Sequence, residues 1–129
     1  MANARGAAPA PVAITLHQKS RVLEIEYAGG KRFRLPCEFL RVFSPSAEVR
    51  GHGPGQEVLQ TGKQDVDIVR VEPVGNYAVQ LVFSDHHDTG IYSFDLLYEY
   101  GLKHDRMWAD YLQRLAQAGA SREAPVAKP

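Results

Sequence analysis

The sequence has a single cysteine, Cys37, and no excess of charge of either sign. One cysteine excludes a disulfide within the chain and a zinc site built from several of its own thiolates. Fifteen basic side chains balance fifteen acidic ones, so there is no general positive charge to attract a phosphate backbone. We therefore expect no nucleic-acid partner.

Long apolar runs are also missing from the sequence. No stretch approaches the roughly 20 apolar residues of a membrane helix, and the N-terminus lacks the apolar core of a signal peptide. We therefore expect a cytoplasmic protein without membrane contact. A monomer is a separate expectation, which no pattern in the sequence tests. The 129 residues, of which 44% are hydrophobic and 23% charged, fit one domain with a core of its own.

The two ends of the chain are rich in alanine, glycine and proline and offer little apolar surface to bury. This composition predicts flexible tails at residues 1–12 and 120–129, on either side of a domain at residues 13–119. Inside that domain, residues 47–64 are polar and glycine-rich without clear periodicity. Such a segment is typical of either a functional loop or a mobile one.

Two hairpins are predicted from the alternation of apolar and polar residues. In the first, a three-residue loop at residues 28–30 pairs Ile25 with Phe33 and keeps the apolar side chains on one face. A two-residue Gly-Gly turn would instead mix apolar and charged side chains. In the second hairpin, an equivalent loop pairs Val71 with Val79.

Helices are predicted from caps and from apolar spacing. Pro36 opens a short helix at residues 37–43. Asp95 is the predicted N-cap of a second helix that ends at Gly101, and a final helix begins near Asp105. Strands fill the first two thirds of the chain and helices the last third. The sequence therefore predicts an α+β fold, in which antiparallel hairpins or a small sheet pack in two layers with a short helix and a longer C-terminal helix.

One loop contains two adjacent histidines and is the main candidate for metal binding. His86, His87 and Asp88 lie in this loop and His52 in another, and their nitrogen and carboxylate ligands suit a divalent metal. Adjacent side chains of an extended segment point to opposite faces, however, and such loops are typical of solvated turns. We expect no metal and no cofactor, with a weak divalent metal site at these residues as the alternative.

The possible nucleophiles do not form a recognisable catalytic motif. Cys37 begins a predicted helix, where a thiol pKa can be lowered, but it belongs to an apolar face and we predict a buried structural thiol. Ser44 and Ser46 have no histidine or lysine at a defined spacing to activate them. We predict no catalytic residue, and we expect that the protein is not an enzyme.

Two segments carry a resemblance to a known family. Residues 35–54 read LPCEFLRVFSPSAEVRGHGP, and residues 90–101 read GIYSFDLLYEYG. In this order they resemble two signatures of the gamma-butyrobetaine hydroxylase-like N-terminal domain family, also known as a bacterial domain of unknown function numbered 971. With the hairpins, the resemblance covers residues 14–115.

The resemblance implies an accessory role. In gamma-butyrobetaine and trimethyllysine dioxygenases this domain precedes a separate barrel that holds iron and 2-oxoglutarate, and we expect no such barrel here. A similar domain lies at the C-terminus of some Mrp-type iron–sulfur carrier ATPases. The resemblance thus implies a stand-alone, non-catalytic accessory domain whose partner is an oxygenase or an iron–sulfur carrier. The alternatives are a metal-binding or iron–sulfur-assembly factor and, less favoured, an unrecognised enzyme.

The same dioxygenases carry a structural zinc on this domain, held by three cysteines and a histidine. In this sequence the cysteine positions fall on Ser44, Ser46 and Val49, and the histidine falls at or beside His87 and Asp88. Serine and valine are not zinc ligands. The resemblance therefore does not carry the zinc over to this chain.

A binding surface is predicted from arginine, histidine and aromatic residues in or near the two signatures, since arginine and tyrosine dominate interface energetics. Its residues are Phe43, Arg50, His52, Tyr92, Tyr98 and Tyr100. Packing in the core is the alternative for Tyr92 and Tyr98. An exposed patch around Arg50, His52 and Tyr92 would favour binding, whereas a buried cavity lined by several polar groups would favour catalysis or a cofactor.

Overall fold

The computed structural model describes residues 9–51, 53 and 55–124, which form two three-stranded antiparallel sheets and three helices. In chain order the elements are β1 (Pro11–His17), β2 (Val22–Tyr27), β3 (Arg32–Pro36), α1 (Cys37–Val42), α2 (Ala47–Arg50), β4 (Ile68–Val74), β5 (Ala78–Phe83), β6 (Ile91–Ser93) and α3 (Phe94–Ala118). The strand orders are β1-β2-β3 and β4-β5-β6. The predicted α+β class is confirmed.

One apolar cluster joins both sheets to α1 and to the first turns of α3. Alternate residues of β2 and β5 point into it, as the period of two requires. Its fully buried members include Leu23, Ile25, Phe39, Leu40, Leu81, Phe83, Tyr92 and Leu97. Burial of each large apolar side chain contributes about 1.5–3 kcal/mol to folding. The predicted buried thiol, Cys37, belongs to the same cluster.

The first hairpin has the predicted register. Ile25 pairs with Phe33 across β2 and β3, and the chain turns at residues 28–30. On the other face, Glu24 lies 3.1 Å from the Arg32 guanidinium and 3.0 Å from that of Arg34. The alternation of apolar and charged residues was sufficient here to choose between the two loop lengths compared, because the two-residue turn would shift the pairing by one residue and mix the faces.

The predicted register of the second hairpin is wrong by two residues. Val71 pairs with Leu81 and not with Val79, and Val74 pairs with Ala78. The loop therefore begins at Gly75, whose φ of 54° is left-handed and suits glycine. A shift of two residues keeps Val71 on its predicted face, so the apolar pattern cannot distinguish the two registers there. A β-bulge between Ile68 and Arg70 places Ile68 in the core and leaves Val69 47% exposed, which the alternation did not predict.

The two C-terminal helices of the prediction are one helix of 25 residues, α3. Ser93 and not Asp95 is its N-cap, since the Ser93 hydroxyl accepts the N–H of Leu96 at 3.0 Å. Gly101 does not end the helix. A Cβ at Gly101 would overlap the ring of Phe33, so glycine lets α3 approach β3 closely. The helix ends as predicted at Gly119, in the left-handed conformation.

Both predicted domain boundaries differ from the observed elements. Strand β1 begins at Pro11, inside the predicted N-terminal tail. At the other end, the Ser121 carbonyl accepts the N–H of Gly62 at 2.9 Å. Arg122 donates two hydrogen bonds to the Glu38 carboxylate at 2.7 and 2.8 Å. Residues 121 and 122 are therefore anchored to the domain, while residues 1–8 and 125–129 of the predicted tails lie outside the described part of the chain.

No helix in the described part of the chain has both the length and the apolar character needed to cross a membrane.

Candidate functional site

An open groove of about 760 Å³ lies between α3 and the segments that follow α1. Its volume falls within the range of ligand-binding sites. The apolar residues that line it are Val42, Phe43, Val49, Val58, Leu59 and Met107, and the polar ones include Arg50, Glu57, Gln60, Tyr100, Tyr111 and Arg114. The groove thus has an apolar floor and carries two arginines.

The short helix α2 shapes one wall of the groove. Ser46 caps its N-terminus, and Gly51 ends it with a φ of 73°. A Cβ at Gly51 would overlap the backbone carbonyl of Gln56, so only glycine allows the chain to turn back at this point. The returning segment is held by the N–H of Val58, which donates to the Val49 carbonyl at 2.8 Å.

Three residues of the predicted binding surface meet at this groove. The Tyr100 hydroxyl donates to the Phe43 carbonyl at 2.8 Å and accepts from Nη2 of Arg50 at 3.1 Å. Burial raises the pKa of Tyr100, so its hydroxyl stays protonated and keeps donating. Arg50 is exposed, and its guanidinium is held at the groove by this contact.

The other predicted surface residues do not join them. Tyr92 is completely buried, and its hydroxyl donates to the Leu40 carbonyl at 2.5 Å. Tyr98 packs edge-on against Tyr27, with ring centroids 4.9 Å apart. Both are packing residues, which is the alternative that the sequence left open. His52 lies outside the described residues.

The two adjacent histidines face different surroundings. His86 is exposed with a φ of 72°, whereas His87 is 7% exposed. The exposed Asp88 uses its backbone carbonyl to accept from the Gln80 amide. Among residues 9–51, 53 and 55–124, no group of three histidine, cysteine or acidic side chains is placed to hold a metal ion. The expected absence of a bound metal stays a prediction.

His87 instead forms a buried hydrogen-bond network that the sequence analysis missed. Its Nε2 lies 2.8 Å from the Ser44 hydroxyl, and its Nδ1 lies 3.1 Å from a carboxylate oxygen of Glu48. The Ser44 hydroxyl also accepts the N–H of Ser46 at 3.2 Å. The Ser46 hydroxyl lies 2.7 Å from that of Thr89. The one signal in the sequence was the resemblance, which related Ser44 and His87 to a common zinc site.

The electrostatics of this region favour a neutral His87. Burial lowers the pKa of His87, and the nearby Arg41 guanidinium lowers it further, which outweighs the opposite effects of Glu48 and Asp85. Burial alone would raise the pKa of Asp85. Hydrogen bonds from Lys63 at 2.7 Å and Arg41 at 2.9 Å reverse this and hold the Asp85 pKa below its usual value.

The contacts from Ser44 to His87 and from His87 to Glu48 follow the nucleophile, base and acid series of an acyl-transfer triad. The geometry around the hydroxyl differs from that of a nucleophile, however. Ser44 is 1% exposed, its oxygen accepts the N–H of Ser46, and a Cβ at Gly90 would lie 2.5 Å from that oxygen. The hydroxyl therefore faces protein. The network is better explained as a structural contact that holds the α1–α2 segment against the β5–β6 loop.

The donors present do not fit the zinc site of the dioxygenases. Ser44 contacts His87, so the corresponding positions do come together in space. They offer two hydroxyls, the aliphatic side chain of Val49 and one histidine, whose two ring nitrogens both have protein partners. Thiolates and free imidazoles form structural zinc sites, and this set supplies neither.

The chain is similar to known proteins along most of its length. Residues 14–98 match the family described as "Gamma-butyrobetaine hydroxylase-like, N-terminal". One similar NMR solution structure is 49% identical, with 93% of this chain and 94% of that chain covered and a TM-score of 0.79. A second is 50% identical, with 93% and 89% covered and a TM-score of 0.78.

A crystal structure at 1.93 Å from Acidithiobacillus ferrooxidans ATCC 23270 is also similar. It is described as a protein with unknown function of the DUF971 family. It is 44% identical, with 67% of this chain and 86% of that chain covered and a TM-score of 0.57. No curated protein matches the chain.

Proposed function

The chain belongs to the gamma-butyrobetaine hydroxylase-like N-terminal domain family, and we propose that it is a non-catalytic accessory domain that binds a partner protein through its groove. The observation that carries this proposal is the position of the arginines that have no acidic partner in the described part of the chain. We infer further that the partner is an oxygenase or an iron–sulfur carrier, as the resemblance implies.

Most arginines of the described chain form ion pairs with carboxylates. They are Arg21, Arg32, Arg34, Arg41, Arg70 and Arg122. Within the described ranges, Arg50, Arg106 and Arg114 have no carboxylate within ion-pair distance. Two of these three line the groove, beside an apolar floor. Arginine next to apolar and aromatic side chains is the composition of an interface hot spot.

Two observations favour binding over the alternative functions. The hydroxyl of Ser44 is covered by protein, which does not suit a nucleophile. The thiol of Cys37 is buried, and burial raises its pKa, so it is a poor source of the thiolate that a metal or a cluster requires. Neither enzyme chemistry nor iron–sulfur assembly has a comparable observation in its favour.

Affinity capture from a lysate of the native cell, with quantitative mass spectrometry, tests the proposal. We would compare the wild type with Arg114→Glu, which reverses one groove charge. The matched control is Arg106→Glu, an exposed arginine on the same helix that does not line the groove. We expect a protein that the wild type and the control enrich and that Arg114→Glu loses. Identical captured sets for all three folded proteins would contradict the proposal.

A further inference from the structure

We propose that the groove recognises a peptide segment of the partner in which an acidic side chain lies beside a large apolar one. This inference rests on the proposed function and adds the chemistry of the ligand. Three features of the groove carry it: two arginines without a carboxylate partner among the described residues, a deformable apolar floor, and an exposed apolar side chain at the edge.

The charge of the groove selects an anion. Arg50 comes from α2 and Arg114 from α3, so two separate elements present guanidinium groups to one space. Glu57 is the acidic residue among the described lining residues and leaves a net charge of +1. A guanidinium binds a carboxylate through two parallel hydrogen bonds, which favours aspartate or glutamate.

Arg50 is already oriented before any ligand binds. One of its N–H groups donates to the Tyr100 hydroxyl, which is itself fixed to the Phe43 carbonyl. A guanidinium has five N–H donors, so this contact leaves donors free for a carboxylate. Fixing the side chain in advance reduces the entropy lost on binding.

The apolar part of the groove suits a large side chain. Phe43, Leu59 and Met107 are half-buried and line it together. Methionine is flexible and polarisable, so it adapts to the shape of an inserted side chain. An aliphatic or aromatic residue next to the acidic one would cover these groups while its neighbour reaches an arginine.

The rim favours a peptide over a free small carboxylate. Val58 is 53% exposed at the edge of the groove. A longer segment that crosses the rim would bury this side chain, which adds to binding in proportion to the apolar area removed from water.

Panning of a random-peptide phage library on the immobilised wild-type protein tests this inference. Clones that also bind Arg114→Glu would be removed by counter-selection. We expect the enriched peptides to combine aspartate or glutamate with a nearby aromatic or aliphatic residue. A terminally blocked synthetic peptide of the enriched sequence should bind Arg114→Glu about tenfold more weakly than the wild type and bind Arg106→Glu unchanged, by fluorescence anisotropy. Its lysine-substituted version should prefer Arg114→Glu.

Other outcomes overturn the inference, and they are distinguishable from failure of the proposed function. Enriched peptides that are basic or uncharged would refute the ligand class, as would equal binding to the two charge variants. Loss of the lysate partner in Arg114→Glu without any acidic-peptide binding would leave the proposed function standing and refute this chemistry. Binding of decanoate that depends on Arg114, without peptide binding, would identify a small-carboxylate site instead.

Discussion

Nε2 of His87 lies 2.8 Å from the Ser44 hydroxyl oxygen, although 43 residues separate the two in the chain. The contact ties the loop before β6 to the segment that connects α1 and α2, which borders the groove. Because both groups are buried, neither can replace its partner by water. The shape of the groove therefore depends on this polar contact between two distant parts of the sequence.

The low pKa of His87 predicts how stability depends on pH. Burial and Arg41 hold this pKa below its ordinary value of 6.5. Below pH 6.5 the His87 imidazole is protonated in the unfolded chain but stays neutral in the folded protein until a lower pH. The stability contributed by neutral His87 is therefore present above pH 6.5 and is lost as the pH falls. We expect the melting temperature to decrease between about pH 7.5 and 5.5 in the wild type, and less in His87→Gln.

The carboxylate of Asp85 does not obscure this measurement. Its pKa lies below the ordinary 3.8, so the stability that it contributes is lost only in more acidic solution. Equal pH dependence of the wild type and His87→Gln above pH 5 would contradict the assignment to His87.

Removing the Ser44 hydroxyl should destabilise the fold without removing an activity. In Ser44→Ala, the His87 imidazole and the N–H of Ser46 both lose a buried partner, which costs about 1–3 kcal/mol of unfolding free energy in urea titrations. The exposed Ser20→Ala is the control and should be near neutral. Labelling of Ser44 in the folded protein by a fluorophosphonate would show an accessible nucleophile and refute the structural role.

Substitution of Gly101 tests the close approach of α3 and β3. At an exposed position inside a helix, replacing glycine by alanine raises the free energy of unfolding by about 1 kcal/mol. Here the added methyl group would overlap the Phe33 ring, so we expect Gly101→Ala to lower the free energy of unfolding by about 1–3 kcal/mol. Leu102→Ala, at an exposed position of the same helix, should change it little. A stabilised Gly101→Ala would mean that the two elements are further apart.

The C-terminal segment should contribute to stability through Arg122. This side chain forms two hydrogen bonds with Glu38 and lies over the Trp108 ring at 5.3 Å. Arg122→Ala leaves the buried Glu38 without its cation. Because Arg122 is 36% exposed, solvent screening limits the expected loss to about 1–2 kcal/mol. Arg106→Ala is the control, since Arg106 forms no ion pair with any residue that the structure describes; equal effects would contradict the anchoring role.

Zinc should be absent from the purified protein. The family resemblance alone would suggest a zinc site, but Ser44, Ser46 and Val49 supply no thiolate. We expect protein prepared without an affinity tag to contain less than about a tenth of an equivalent of zinc by mass spectrometry, and EDTA to leave its melting temperature unchanged. If EDTA and His87→Ala each lowered that temperature, and did so non-additively, a metal site at His87 would be established.

Features that depend on neighbouring residues were determined by the sequence itself. The register between Ile25 and Phe33 followed from alternation, because a shift by one residue would expose the apolar face. The short helix after Pro36 and the end of α3 at Gly119 followed from backbone preferences. The burial of Cys37 followed from its apolar segment.

Only the tertiary structure decided the features that depend on distant residues. The second hairpin has two registers that put Val71 on the same face, so the left-handed Gly75 and the packing around it select between them. Local preferences predict that Gly101 ends a helix. In the structure α3 continues through it, and glycine is needed there because a Cβ would overlap the ring of Phe33. The groove also depends on distant residues. The sequence analysis named Arg50 and Tyr100 as binding-surface residues, but it could not show that they contact each other across 50 positions of the chain. Local preferences contain no information on such distances, and only the packed chain brings these groups together.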